Sequence, residues 1–193
     1  MRLLRALDRA AAQDAPVEAR YAVLAQDLAA GTDRPARART RAADALSARL
    51  KVPTACRDAA RLAARWLPRL ASIERLPPAG ILDLLQSADA LRRPERLAVL
   101  TQAWIAVDPA ADGLAPRWRE AQDVVRRVAL RDVARAHGHA DAISKAVRAA
   151  RLGALRRWKR SGAGTSADAS TVSAVKRDTR RRASRPRRRA SGA

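Results

Sequence analysis

The chain has 193 residues, enough for one helical domain or two small ones. Its apolar residues are mainly Ala, Leu and Val, and only 3% of all residues are aromatic, a composition that favours helix over strand. Forty Lys and Arg against nineteen Asp and Glu give a formal net charge of +21. We expect that this excess reflects binding to nucleic acid, most of all RNA, and not only the base composition of the genome. A single cysteine, no apolar run of the ~20 residues that a membrane span needs and no recognisable signal peptide predict a cytoplasmic protein without internal disulfides or membrane contact.

Apolar residues at helical spacing, separated by Pro and Gly, predict an all-α, compact bundle of about eight helices. In chain order we expect a short helix before Pro16, one at 17–30, one from Pro35 through Leu50, one from Pro53 past Leu70, one from Pro77 to the Arg-Arg-Pro at 92–94, one from there to Asp108, one at 116–130, a short turn at 131–136 and one at 140–158. Residues 108–113 are predicted to form a loop.

The last 33 residues, 161–193, differ in composition from the rest of the chain. They hold almost no large apolar residues and carry nine basic side chains against two acidic ones, so they cannot bury enough surface to offset chain entropy. We therefore expect a helical domain at 1–108, a helical tail at 109–160 packed on it, and a disordered basic tail at 161–193. That tail would bind any polyanion without sequence preference.

The side-chain groups that most enzymes need are scarce. His137 and His139 are spaced like a ligand pair, but no Cys or acidic set accompanies them, and the end of a helix near Gly138, where an imidazolium is favoured, is the preferred explanation. The eight glycines match no phosphate-binding loop. We expect no metal, no cofactor and no catalysis.

Five segments, taken in order, resemble the C-terminal half of bacterial CCA-adding enzymes, the tRNA nucleotidyltransferases. They are EARYAVLAQDLAAG, LSARLKVPTACRDAARLAARW, ILDLLQSADALRRPERLAVL, PRWREAQDVVRRVALRDV and GHADAISKAVRAARLGALRRWK. The third is the most specific match, and the similarity covers roughly residues 2–160. The resemblance implies the HD-domain body and tail of that family, whose catalytic nucleotidyltransferase head nothing here matches.

The chain departs from the HD metal-site pattern of that family. Gln26 stands before Asp27 where the family has a His, Arg2 and Ile105 fall near the places of other ligands, and Ala30 replaces a Lys. The resemblance therefore implies a degenerate HD domain that has lost its metal ligands, with Asp27 left as a helix-end or solvent-facing residue. It also implies contact with tRNA, mainly through backbone phosphates, because side chains cannot enter the deep major groove of A-form RNA.

Basic residues on the later helices are the candidates for this contact. They are Arg92, Arg93, Arg96, Arg126, Arg127, Arg131, Lys145, Arg148, Arg151, Arg156, Arg157 and Lys159. For the first three, helix-end charge and a solvated face explain the pattern equally well. The last helix has few acidic residues for salt bridges within it, which favours phosphate contact. The four Trp residues are expected in the core, with Trp158, flanked by basic residues, as the one that could stack on a base.

We therefore predict a non-catalytic helical module that binds tRNA or another structured RNA, alone or beside a separately encoded catalytic domain. An alternative is a protein-interaction module that pairs with such a catalytic head or with another partner. A remnant without an independent role is a further alternative, and a surviving phosphohydrolase is the least favoured.

Overall fold

A computed structural model describes the backbone of residues 2–29, 35–136 and 139–183, and their side chains except those of 27–29, 134 and 163–183. None of the described residues lies in a strand, and the all-α prediction is confirmed. The helices are α1 Arg2–Ala12, α2 Val17–Ala29, α3 Ala36–Arg49, α4 Thr54–Leu70, α5 Pro78–Ser87, α6 Glu95–Val107, α7 Ala115–Arg126, α8 Leu130–Arg135 and α9 Ala140–Ala183.

Proline sets several of the helix starts. Pro35, Pro53 and Pro77 occupy the positions just before α3, α4 and α5, where a missing backbone N–H costs nothing because the first turn has no acceptor for it. The predicted loop at 108–113 was wrong in one respect, since Pro109–Gly113 form a 3-10 helix. Asp108 stabilises its first turn by accepting a hydrogen bond from the backbone nitrogen of Ala110 at 3.1 Å.

Helix α2 lies at the centre of the bundle, packed against α1, α3, α4 and α6. Small residues let these helices approach closely, and one core cluster is built from Tyr21, Ala25, Ala43, Cys56, Ala60 and Ala64. The hydroxyl groups of Tyr21 and Ser47 are hydrogen-bonded at 3.0 Å inside this cluster. The prediction that Cys56 is a small buried residue is confirmed.

The larger core residues are Leu and Trp. Trp66, Trp104 and Trp118 are buried in the unit Met1–Leu155, which confirms the prediction that they belong to its core. Trp158 is 9% exposed and belongs to the unit Arg156–Ala193. The indole nitrogen of Trp118 donates a hydrogen bond to the carbonyl oxygen of Leu70 at 3.0 Å. Leu70 ends α4, so this bond satisfies one of the carbonyls that a helix end leaves without a partner.

The chain divides into two compact units, Met1–Leu155 and Arg156–Ala193. We predicted a boundary at residue 108 but also expected 109–160 to pack on 1–108. Two segments that pack together fall into one compact unit, so the boundary at 108 stays a prediction. The backbone of α9 continues to Ala183, into the segment for which we predict disorder, but side chains beyond 162 and all of 184–193 lie outside the described residues. Disorder of 161–193 therefore also stays a prediction.

Candidate nucleic-acid interface

An open groove of about 840 Å³ lies between α3 and α4 and reaches the end of α5 and the start of α6. Among the described residues its charged lining is strongly basic, with six arginines against two aspartates. The arginines are Arg37, Arg41, Arg61, Arg65, Arg69 and Arg96, and the aspartates are Asp44 and Asp58. We call this feature the arginine groove. An excess of guanidinium groups in a concave surface raises the local concentration of anions.

The arginine groove follows from the helical period. Arg61, Arg65 and Arg69 are four residues apart on α4, and Arg37 and Arg41 are four apart on α3, so each set lies along one side of its helix. The opposite side of α4 carries small residues that pack into the core, such as Ala59 and Ala63. Burying those sides against each other leaves the two arginine rows facing solvent along a shared groove.

Ion pairs join the helices that frame the groove. The Arg61 Nε lies 3.0 Å from Oδ1 of Asp44, which joins α4 to α3. The Arg96 Nη2 lies 2.6 Å from Oδ2 of Asp58, which joins α6 to α4. Such partly exposed pairs each contribute at most about 1 kcal/mol to stability. Their main effect here is to orient two of the guanidinium groups.

Two other arginines are positioned by an aromatic ring. The guanidinium carbons of Arg65 and Arg69 lie 5.0 and 5.8 Å from the centroid of the Trp66 ring. Trp66 is only 5% exposed, so its ring is fixed by the core. A cation–π contact of this kind holds the guanidinium near the ring and leaves its N–H groups able to donate to an anion.

Four arginines of the groove lack a carboxylate partner. Arg37, Arg41, Arg65 and Arg69 are exposed, and none of them forms an ion pair with any residue in the described part of the chain. The pairs at four-residue spacing place like charges side by side, which is mildly unfavourable unless an anion lies between them. This surface is therefore suited to a ligand that carries several negative charges.

Of the candidates predicted from the sequence, Arg96 lines the arginine groove. Arg92 and Arg93 are exposed nearby in sequence, and Arg93 Nε lies 3.8 Å from Oδ2 of Asp89. The same carboxylate oxygen is 4.0 Å from Arg96 Nη1. Asp89 is thus an acidic neighbour of both arginines, and the choice between RNA contact and a solvated helix end stays open for Arg92, Arg93 and Arg96.

The candidates at 126–151 lie outside the groove lining. Arg126, Arg127, Arg131 and Lys145 are exposed at the surface of Met1–Leu155. Arg148 donates to Oδ1 of Asp83 at 3.0 Å and to Oε1 of Gln86 at 3.2 Å, both on α5. Its acidic partner thus comes from a different helix, which the charge pattern of α9 alone could not show.

Arg151 is the least suited of these candidates to phosphate contact. It is partly buried, its Nε has no hydrogen-bond partner in the described structure, and burial lowers the pKa of its guanidinium. In the second unit, Arg156 and Arg157 are exposed and Lys159 is partly buried. Which of these residues contacts RNA stays a prediction.

Five arginines of the groove were not among the candidates predicted from the sequence: Arg37, Arg41, Arg61, Arg65 and Arg69. The signal was available, because the residues are four apart on two consecutive helices. Acidic residues lie among them, so the sequence alone does not show which arginines have a carboxylate partner. The structure shows that Asp44 and Asp58 each pair with an arginine of another helix.

The position of the degenerate HD pattern is only partly described. Gln26 is partly buried on α2, and its Oε1 has no hydrogen-bond partner among the described residues. The side chain of Asp27, and Ala30, His137 and Gly138, lie outside the described residues, while His139 is exposed. Within the described part of the chain, no group of three or more His, Cys, Asp or Glu is placed to hold a metal ion.

No described helix combines the length and the apolar character needed to cross a membrane.

No family model matches the chain, and no solved structure matches it significantly. It is similar to the multifunctional CCA protein of Halorhodospira halophila, 36% identical over 182 residues that cover 86% of this chain and 44% of that protein. The CCA-adding enzyme of Bordetella pertussis is 37% identical over 150 residues, which cover 77% and 36%. The multifunctional CCA protein of Aromatoleum aromaticum is 34% identical over 171 residues, which cover 80% and 42%. The chain spans less than half the length of these curated relatives.

Proposed function

Because the chain is a homologue of the CCA-adding enzymes over part of their length, we propose that it is a non-catalytic helical module that binds tRNA or a similarly structured RNA. It contacts the phosphates of the RNA backbone through basic helix faces. Recognition of this kind uses shape and charge instead of base sequence.

The observation that carries the proposal is a basic concave surface in a relative of enzymes named for CCA addition. The formal net charge is +21, and the arginine groove collects six guanidinium groups in one place within the described structure. A uniformly basic surface would follow from composition alone, but a concave cluster in which Trp66 positions two of the arginines would not. Positioned donors of this type suit phosphate oxygens.

The absence of catalysis is supported by the sequence at the HD doublet. A metal-dependent phosphohydrolase needs several ligands converging on one ion, and Gln26, Arg2 and Ile105 replace three of the residues that the family pattern would supply. An amide is a weaker metal ligand than an imidazole, and a guanidinium repels a cation. We propose that this part of the chain now serves as scaffold.

The test is equilibrium binding of the full-length protein and of residues 1–160 to labelled tRNA and to duplex DNA of equal length. Anisotropy would be recorded over a salt series from about 50 to 300 mM, because the salt slope counts the phosphates that are neutralised. Circular dichroism would establish that the shortened chain keeps its helix content. Phosphodiesterase assays with added divalent metals would run beside the binding series.

We expect tRNA to bind more tightly than duplex DNA and residues 1–160 to retain that preference. Equal affinity for both nucleic acids, lost when 161–193 is removed, would show that binding comes from the basic tail and is non-specific. That result would contradict the proposal. No detectable tRNA binding by the full-length protein at low salt would contradict it as well. Metal-dependent turnover would overturn the non-catalytic part alone.

A further inference from the structure

We propose that the arginine groove is the principal phosphate-binding site of this chain and that it holds a polynucleotide backbone through Arg37, Arg41, Arg65 and Arg69. The inference rests on the proposed function and adds its location. It moves the main contact from the basic residues selected from the sequence to the groove between α3 and α4.

The first support is the division of roles among the guanidinium groups. Arg61 and Arg96 form ion pairs with Asp44 and Asp58, at 3.0 and 2.6 Å. These pairs join the helices on either side of the groove. The four proposed contact residues are exposed and form no ion pair with a described residue. The groove thus combines oriented walls with four positive charges that an external anion can neutralise.

The second support is the spacing of those charges. Arg37 and Arg41 on one wall, and Arg65 and Arg69 on the other, are each one helical turn apart, a rise of about 6 Å. This is on the scale of the separation between neighbouring phosphates in a nucleotide chain. Each wall can therefore contact two consecutive phosphates of a polynucleotide. A single compact anion could not contact both walls in this way.

The third support is preorganisation. Trp66 is buried, and its ring lies 5.0 and 5.8 Å from the guanidinium carbons of Arg65 and Arg69. Side chains that are already held lose less rotamer freedom when they bind. All the N–H groups of a guanidinium lie in its plane, so a contact with an aromatic ring leaves them able to donate to phosphate oxygens.

The shape of the site favours a polynucleotide over a small phosphate compound. The groove is open, its volume is about 840 Å³, and its free charges are spread over two helices. Pockets for small molecules are enclosed and mostly apolar, with few polar groups. An extended chain of phosphodiesters fits an open basic groove that tracks it.

The experiment compares full-length variants R65Q/R69Q and R37Q/R41Q with R2Q/R5Q. Arg2 and Arg5 are exposed on α1 and do not line the groove, so the control removes the same net charge elsewhere. R126Q/R127Q tests two of the candidates selected from the sequence, which lie outside the groove lining. Affinity for tRNA would be measured across the salt series, and thermal melting would establish that each variant is folded.

We expect each groove variant to weaken tRNA binding at least about tenfold near 0.1 M salt and to lower the salt slope by about 1 to 2. The control should change affinity less than about threefold. Folded groove variants that bind like the control, while R126Q/R127Q loses affinity, would overturn this inference and leave the proposed function intact. Absence of tRNA binding by the unmodified protein would overturn both.

R65K/R69K separates point charge from guanidinium geometry. Lysine keeps the positive charge but offers no planar fork and stacks less well on an indole. We expect it to restore part of the salt slope and only part of the affinity. Full recovery of both would overturn the positioning role given to Trp66.

Discussion

The Nε of Arg39 donates a hydrogen bond to the carbonyl oxygen of Ala64 at 2.8 Å, and both groups are buried between α3 and α4. In a regular helix that carbonyl would accept from the residue four positions later, which is Pro68. Proline has no backbone N–H, so Arg39 supplies the donor that α4 lacks. The bond joins the two helices whose outer sides form the arginine groove.

The first prediction concerns this bond. R39M should lower the free energy of unfolding by about 2 to 3 kcal/mol, because it leaves a buried carbonyl without a partner and removes a charge-assisted hydrogen bond. Urea denaturation monitored by circular dichroism would measure the change.

A double-mutant cycle with P68A identifies the cause. Alanine at 68 restores a backbone N–H that can bond to Ala64, so R39M should cost at least about 1 kcal/mol less in that background. An equal cost in both backgrounds would show that the hydrogen bond to Ala64 does not account for the stabilisation by Arg39.

The second prediction uses an aspartate of the groove. D58N removes the negative partner of Arg96 and makes the arginine groove more basic, so tRNA affinity at about 0.1 M salt should rise roughly threefold. Stability should fall by no more than about 1 kcal/mol, since Arg96 and Asp58 are both partly exposed.

D8N is the matched control, because Asp8 is exposed on α1 and does not line the groove. It changes the net charge equally and should alter affinity less than D58N does. If D58N binds tRNA no better than D8N, the groove is not where the phosphates lie.

The third prediction concerns Arg151. Its partly buried Nε has no partner in the described structure, and burial lowers the pKa of its guanidinium, so the positive charge is disfavoured where it lies. R151M keeps the side-chain length and should raise the free energy of unfolding by less than about 1 kcal/mol, because solvent reaches the partly exposed guanidinium and screens much of the unfavourable charge. R148M, which loses the pair with Asp83, should instead lower it slightly. Urea denaturation of both variants would measure these changes in the free energy of unfolding. A clear loss of stability in R151M would show that the Arg151 charge is favourable in the folded protein and contradict the prediction.

The fourth prediction concerns the buried thiol. Burial, and secondarily the charge of Glu18, raise the pKa of Cys56 above its ordinary value. Because the thiolate is the reactive form, iodoacetamide at about pH 8 should modify the folded protein at least about tenfold more slowly than the urea-unfolded chain. E18Q should speed the reaction only modestly. Equal rates in the folded and unfolded chains would show that the thiol is accessible.

The same shift predicts how stability depends on pH. The folded state holds the thiol proton more tightly than the unfolded state, so the contribution of Cys56 is fully present below the unfolded pKa near 9.0 and is lost as pH rises through the higher folded pKa. The difference in unfolding free energy between the unmodified protein and C56A should shrink in that range. A difference that does not change with pH would contradict it.

The sequence by itself determined most of the local structure. Apolar residues that recur every three to four positions predicted the helices, and proline marked the starts at Pro35, Pro53 and Pro77. Both signals act within a few residues of the chain. The burial of Cys56 and of three of the tryptophans followed from the apolar sides on which they lie. The resemblance to CCA-adding enzymes also depended only on order and spacing along the chain.

Only the tertiary structure decided which charges meet. Arg61 pairs with Asp44, Arg96 with Asp58, and Arg148 with Asp83, each on a different helix, so no local charge pattern specifies them. The arginine groove exists because α3 and α4 bury their small residues against each other and against α2, which leaves two rows of guanidinium groups side by side. A row on one helix is visible in the sequence, but which row faces which depends on how the helices pack.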